Sequence, residues 1–229
     1  IRRANDRYGL SMQEYIRKTR ADMQKIASKP EFRGTGITEC TTLIGYDKDA
    51  ERKILIAALY PYVQRPACEI SDIVDKMSKE EKAQVIKAYI NQRGNRRHRP
   101  GRAFEMAYYD FDICANFGAY RDLQRHRILT QQRQPLTPYL GYKIPQEIKD
   151  SGYENGFRDA MEGAKNAYEE IAQKHRLEAQ YIVPLAYNIR WHMAMNLREA
   201  YQMLELRSSM HGHADYRHVA QQMFREIEK

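Results

Sequence analysis

Residues Trp191 to Arg207 read WHMAMNLREAYQMLELR. The spacing predicts one helix, part of a helical pattern running from about Leu185 to Arg207. Asn196, Ala200, Met203 and Arg207 fall at i, i+4, i+7 and i+11, on one face of it. An amide and a guanidinium would then flank an apolar stripe, with Ala200 and Met203 assigned to the core. Beyond Arg207 comes SSMHGHADYR, a polar turn rich in ring and guanidinium side chains. His211, His213, Asp215 and His218 contain a His-x-His pair, but no third ligand is fixed by spacing. A polar turn is the preferred reading, with Asp215 placed to favour the N-terminus of a following helix.

Working outward, residues 9 to 28 have a helical period that ends at Lys29-Pro30, and residues 1 to 36 read as an N-terminal helical extension. Gly34-Thr-Gly36 leads into ITECTTLIGY, a strand from Ile37 to Tyr46 that ends at the turn Asp47-Lys-Asp49. AERKILIAALYPYV reads as a helix stopping near Pro61. Helix starts follow at Ser71 and Ser78, the second with Glu81 in capping-box position. AFEMAYYDFDI reads as a strand and NFGAYRDLQRHRIL as a helix. Further helices are expected from about Tyr153 to Arg176 and from about Asp215 to Ile227. The sum over 37–229 is one α+β domain, helix-dominated, around a small antiparallel or mixed sheet.

Composition narrows the class of partner. Lys+Arg 38 against Asp+Glu 30 leaves +8 over 229 residues, which favours an anionic ligand such as phosphates or nucleic acid. Cys40, Cys68 and Cys114 are dispersed and odd in number, so neither a disulfide framework nor a zinc site is supported. No apolar run suggests a bilayer span, and IRRANDRYGL lacks the apolar core of a signal peptide. A soluble, cytoplasmic protein is expected. The start at Ile1 hints at a piece of something longer.

Two further segments are candidates for chemistry. Arg93 to Glu105, RGNRRHRPGRAFE, reads as a solvated basic loop or as a phosphate cradle, since each guanidinium can bond phosphate oxygens bidentately. Gly94, Pro100 and Gly101 favour a defined loop. Arg125-His126-Arg127 ends a helix-like segment, where its cations would complement the dipole. Successive helical residues diverge by about 100°, so the three would serve different neighbours or one large ligand.

The order of these features, over roughly Ile37 to Arg225, resembles the flavin-dependent thymidylate synthases. Arg-His-Arg is that family's signature triplet, Phe104-Glu105 stands like its Phe-Glu, and His98 and Pro100 are loose counterparts of the His and Pro before it. Asn196-Leu197-Arg198 is similar to its flavin-contacting Asn-x-Arg, and Arg207 to Arg217 keeps the spacing of its last motif. The resemblance implies FAD held by His98, Glu105, Arg125, His126, Arg127, Asn196 and Arg198. It puts Arg121, Arg133, Thr137, Gln180 and Arg207 on the nucleotide side, Arg207 being the catalytic group at the uracil ring. It further implies NADPH and methylene-tetrahydrofolate as co-substrates, dTMP made from dUMP, and a homotetramer with FAD at subunit interfaces.

The departures gather on the nucleotide side. Thr130 keeps a hydroxyl at the signature's first Ser. Arg133, Pro135 and Thr137 stand where the family has Glu, Ser and Arg, and Gln180 where it has a phosphate-binding Arg. Gly212, His213 and Asp215 replace Ala, Gln and Glu of the final motif. Two alternatives stand beside a synthase: a flavin-binding homologue, perhaps half of a duplicated synthase, and a basic nucleic-acid-binding module.

Overall fold

The computed structural model describes residues 7–32, 34 and 41–229, and divides into a unit ending at Ile37 and one beginning at Thr38. The first unit holds helix α1 (Arg7–Ala27), along which Met12, Tyr15, Ile16, Met23 and Ile26 form an apolar stripe. The second runs β1 (Thr41–Tyr46), α2 (Ala50–Leu59), α3 (Ala67–Lys76), α4 (Lys79–Ile90), β2 (Tyr108–Asn116), α5 (Phe117–Leu123) and β3 (Leu129–Arg133). It continues with α6 (Gln146–Asp150), α7 (Glu154–Ala172), β4 (Asn188–Asn196), α8 (Leu197–Arg207) and α9 (Ala214–Glu228). This is an α+β fold. The first four residues of the strand expected from Ile37, like Cys40, lie outside the described residues.

The four strands form one antiparallel sheet in the order β1-β2-β4-β3. β2 and β4 pair over nine residues, from Tyr108↔Asn196 to Asn116↔Asn188. Each of the two strands ends in an asparagine that caps a helix. Asn116 Oδ1 accepts from Ala119 N (2.8 Å) to start α5, and Asn196 Oδ1 accepts from Glu199 N (2.9 Å) to start α8.

β4 corrects the expectation of one helix from about Leu185 to Arg207. Ile189, Trp191, Met193 and Met195 alternate with Arg190, His192 and Ala194, and the first set is fully buried. That period of two selects a strand. β4 is central, bonded to β2 on one side and β3 on the other. The Met and Ala residues, good helix formers by propensity, masked the alternation. Asn196 therefore sits at the strand–helix corner and not on a helix face.

α5, α8 and α9 cover the face carrying Phe111, Ile113, Trp191, Met193 and Met195, to which they add Leu123, Met203, Val219, Ala220 and Met223. Side chains buried this completely contribute about 1.5–3 kcal/mol each. A second apolar group, Ile54, Ala58, Ala103, Phe104 and Ala107, joins α2 to a 3-10 turn at Arg102–Met106. The strand expected from Ala103 thus begins only at Tyr108.

Two more boundaries differ from expectation. α3 starts after Pro66, whose backbone (φ −62°, ψ 152°) already has the extended geometry of a cap, and Ser71 lies inside the helix with its hydroxyl against Arg52. α5 stops at Leu123, so Arg125-His126-Arg127 lies in a turn. Leu129, expected to end that helix, instead opens the edge strand β3, in which Arg133 pairs with Trp191. The few residues between α5 and β3 must reverse the chain, which a continued helix would forbid. The capping box at Ser78 forms as expected: its Oγ accepts from Glu81 N (3.1 Å) and Glu81 Oε2 accepts from Ser78 N (2.7 Å).

Candidate functional site

α8 serves two neighbours. At about 100° per residue, Glu199, Met203 and Arg207 share one face, while Arg198, Tyr201 and Glu205 share another. The first face meets the Arg125–Arg127 turn. The second meets the basic loop from Arg93 to Arg102.

At the first face, His126 Nδ1 lies 2.8 Å from Glu199 Oε1, and Arg207 Nε donates to His126 Nε2 at 3.1 Å. The His126 and Glu199 side chains are only 6% and 5% exposed. The guanidinium of Arg207 lies 5.3 Å from the centre of the Tyr216 ring. Gly212 makes room for that ring, since a Cβ on it would come within 2.5 Å of the Tyr216 hydroxyl. Arg125 pairs with Asp122 (3.1 Å) while staying largely exposed, and Arg127 is exposed. The triplet's side chains diverge because a turn separates them, with His126 directed inward.

At the second face the basic loop is fastened at both ends. Arg93 donates from both terminal nitrogens to the two carboxylate oxygens of Glu205 (2.7 and 2.5 Å). Its Nε donates to His98 O (2.7 Å), and its guanidinium lies 5.4 Å over Tyr201. Arg198 donates from Nε to Pro100 O (2.8 Å) and from Nη1 to Glu105 Oε1 (2.8 Å). Arg102 joins the same carboxylate at 3.0 Å. The hydrogen bond from Arg102, and then Arg198, holds the Glu105 carboxyl below its ordinary pKa. Asn95 Oδ1 accepts from Arg97 N (2.9 Å), and His98 Nδ1 accepts from Gly94 N (3.1 Å), which shapes a tip where Arg96, Arg97 and Arg99 are exposed.

The remaining candidates gather around β3. Arg133 Nη1 donates to Gln134 O (3.1 Å) and reaches Gln180 Oε1 at 3.5 Å. Gln180 Oε1 accepts from Leu136 N (2.9 Å), which fixes the loop leading to Thr137. Arg121 is exposed, its guanidinium 6.0 Å over Phe117. Among the described residues, no group of three His, Cys, Asp or Glu side chains is placed to hold a metal ion, and no helix is long and apolar enough to cross a membrane. His213 acts as the cap of α9, its Nδ1 accepting from Asp215 N (3.3 Å).

A family model described as "Thymidylate synthase complementing protein" matches residues 42–229, the stretch that contains both faces of α8. The chain belongs to this family.

Relatives include UPF0159 proteins of Chlamydia muridarum, 43% identical over 218 residues, and of Chlamydia pneumoniae, 40% identical over 220. These alignments cover 95% and 96% of this chain but 41% of each relative. A UPF0159 protein of Thermoplasma acidophilum is 35% identical over 208 residues, 89% of the chain and 42% of that protein. The chain spans about two fifths of the length of the curated relatives it matches.

Three pairs of expected site residues meet: His126 with Arg207, Glu105 with Arg198, and Arg133 with Gln180. Asn196 stands apart as the cap of α8. Glu199 and Tyr216 were not anticipated. Asn196-x-x-Glu199 has the spacing of a helix start, an N-cap followed by Glu at N3, and could have moved the helix boundary to Asn196. In the fold Glu199 does not complete a capping box, because its carboxylate goes to His126.

Proposed function

We propose that this chain forms part of a flavin-dependent thymidylate synthase, which converts dUMP to dTMP with methylene-tetrahydrofolate as carbon source, NADPH as reductant and FAD as cofactor. The observation that carries it is the row Glu199–His126–Arg207, buried at its first two side chains, which joins the Arg-His-Arg turn to the end of α8 across 81 residues of sequence.

The donor set suits a dinucleotide with a pyrophosphate. Arg125 and Arg127 are exposed in the α5–β3 turn, and Arg96, Arg97 and Arg99 at the loop tip. Each can give two parallel hydrogen bonds to phosphate oxygens. Bound FAD would supply hydride chemistry that protein side chains lack. Glu105 and Arg198 would shape its binding wall, since both hold the basic loop. Asn196 and His98 would act mainly through the local structure they fix.

Arg207 is the group assigned to the pyrimidine. With Nε held by His126, its two terminal nitrogens are the donors left for a ring carbonyl oxygen, where a guanidinium stabilises negative charge developing on the ring. Arg133, Thr137 and Arg121 are assigned to the nucleotide's phosphate and sugar. Sites shared between subunits of a homotetramer would bring several exposed arginines onto one ligand, and the cytoplasm supplies all the reactants.

The test is an absorbance spectrum of the pure protein with FAD added, followed by tritium release from 5-tritiated dUMP. Flavin bands and dUMP-dependent release are expected. Arg207→Ala should abolish nucleotide binding and leave flavin bound, and retained nucleotide affinity would remove Arg207 from its role. A flavin-binding homologue without dUMP turnover is the second reading. It is favoured by Gln180, whose amide oxygen is engaged by Leu136 N where the family carries a phosphate-binding arginine. Flavin bands without tritium release would select it.

A further inference from the structure

We infer that Glu199 is a positioning residue, which fixes His126 as the neutral Nδ1–H tautomer so that Nε2 offers its lone pair to Arg207. Only the consequence for the pyrimidine rests on the function proposed above; the tautomer itself does not.

Arginine can donate but not accept, so the 3.1 Å contact from Arg207 Nε requires an unprotonated Nε2 on His126. Glu199 accepts, so the 2.8 Å contact at Nδ1 requires a proton there. The two contacts select one tautomer out of three ring states. The Nε2–H tautomer would set N–H against N–H at Arg207 and a lone pair against a carboxylate at Glu199. An imidazolium would keep the Glu199 bond but lose the acceptor that holds Arg207.

Charge and burial agree with this. A carboxylate as buried as Glu199 is costly without strong hydrogen bonding and a nearby cation. The Nδ1–H of His126 provides the first, and Arg207, one imidazole away, the second. Neutral His126 leaves Glu199 and Arg207 cancelling each other. Glu199 is itself set by the fold: its backbone N–H is capped by Asn196 and it lies in the first turn of α8, where the helix dipole favours an acid. Tyr216, resting against Gly212, closes the other side of Arg207. The guanidinium is thus aimed from two sides before any ligand arrives.

The experiment is a long-range 1H–15N spectrum of the 15N-labelled full chain at neutral pH, with His126 assigned by the signal lost in His126→Asn. Wild type should show a protonated Nδ1 and an unprotonated Nε2. Glu199→Gln should keep that pattern, because its amide oxygen can still accept from Nδ1–H. Glu199→Leu should lose it, together with the slowly exchanging Nε–H signal of Arg207. Nucleotide affinity should fall about tenfold or more in Glu199→Leu, the effect of losing a hydrogen bond to a charged group, and about threefold or less in Glu199→Gln. An Nε2–H or imidazolium pattern in wild type overturns the inference even if Glu199→Leu fails to fold. So does an unchanged tautomer in a folded Glu199→Leu. Correct tautomers in a wild-type protein that binds no dUMP would sink the proposed substrate and leave Glu199 in its role.

Discussion

Arg93 and Glu205, 112 residues apart in sequence, form a two-pronged ion pair with both N···O distances at 2.7 Å or less. The pair is the main fastening between the basic loop and α8, backed by Tyr201 under the guanidinium. Both side chains are largely but not fully buried, so screening by solvent limits the pair to a coupling of about 1–2 kcal/mol. A double-mutant cycle with Arg93→Ala and Glu205→Ala, read by urea unfolding, should return that value. Either single change should also speed tryptic cleavage at Arg96 and Arg97, as the tip loses its anchor. Uncoupled, additive effects would dismiss the fastening.

Gly212→Ala tests the support of Arg207 from the Tyr216 side. A methyl there would meet the Tyr216 hydroxyl at 2.5 Å and the ring carbons at 2.6 and 2.8 Å, so the ring must swing away. Global stability should change by about 1 kcal/mol or less, because the Tyr216 side chain is half-exposed and can move. Arg207 should lose its ring contact, and the nucleotide should bind more weakly while flavin binding holds. Tyr216→Ala alone removes the ring without any clash and should weaken the nucleotide to a similar extent. Wild-type nucleotide affinity in Tyr216→Ala would dismiss the support.

The sequence made α4, α7 and α9 legible because each has a sustained helical period, with Ser78-x-x-Glu81 marking the start of α4. β4 was hidden because Trp191-His-Met-Ala-Met195 satisfies a strand's alternation while using residues that also suit helices, and only its place between β2 and β3 decides between them. The Arg-His-Arg motif was found, but its turn was not, since β3 exists only through pairing with β4. Glu199 could not be recognised as buried: a polar residue on a helix reads as solvated until His126, 73 residues earlier in the chain, is brought to it. Local rules reached the caps, and long-range contacts made the site.

The acid side of the stability curve should carry a contribution from Glu105. Arg102 first and Arg198 second lower its carboxyl pKa in the folded protein relative to the ordinary value of 4.5. The folded state therefore binds this proton less readily than the unfolded one. The stabilisation is complete above the unfolded pKa and is lost as pH falls from there through the folded pKa. Glu105→Gln should flatten stability over that interval while leaving its slope at pH 7 unchanged. Unfolding midpoints measured from pH 7 down to pH 3 will register the difference, and identical acid limbs would remove Glu105 from the account.

Asn196 is the residue at which a cap and a cofactor contact make opposite predictions. Its Oδ1 starts α8 by accepting from Glu199 N, and α8 carries Arg198, Glu199 and Arg207, so losing the cap would disturb both faces of the helix at once. Asn196→Ala should destabilise the protein by about 1–2 kcal/mol. Asn196→Asp and Asn196→Ser both keep an oxygen able to cap, and should restore most of that loss. Flavin titration of the same three variants separates the roles. If Asn196 acts only as a cap, flavin affinity recovers in step with stability. If its amide N–H also donates to the flavin, Asp and Ser recover stability without affinity, since neither can supply the amide donor at that position. Affinity that stays at the wild-type level in Asn196→Ala would remove both the flavin contact and the dependence of the site on the start of α8.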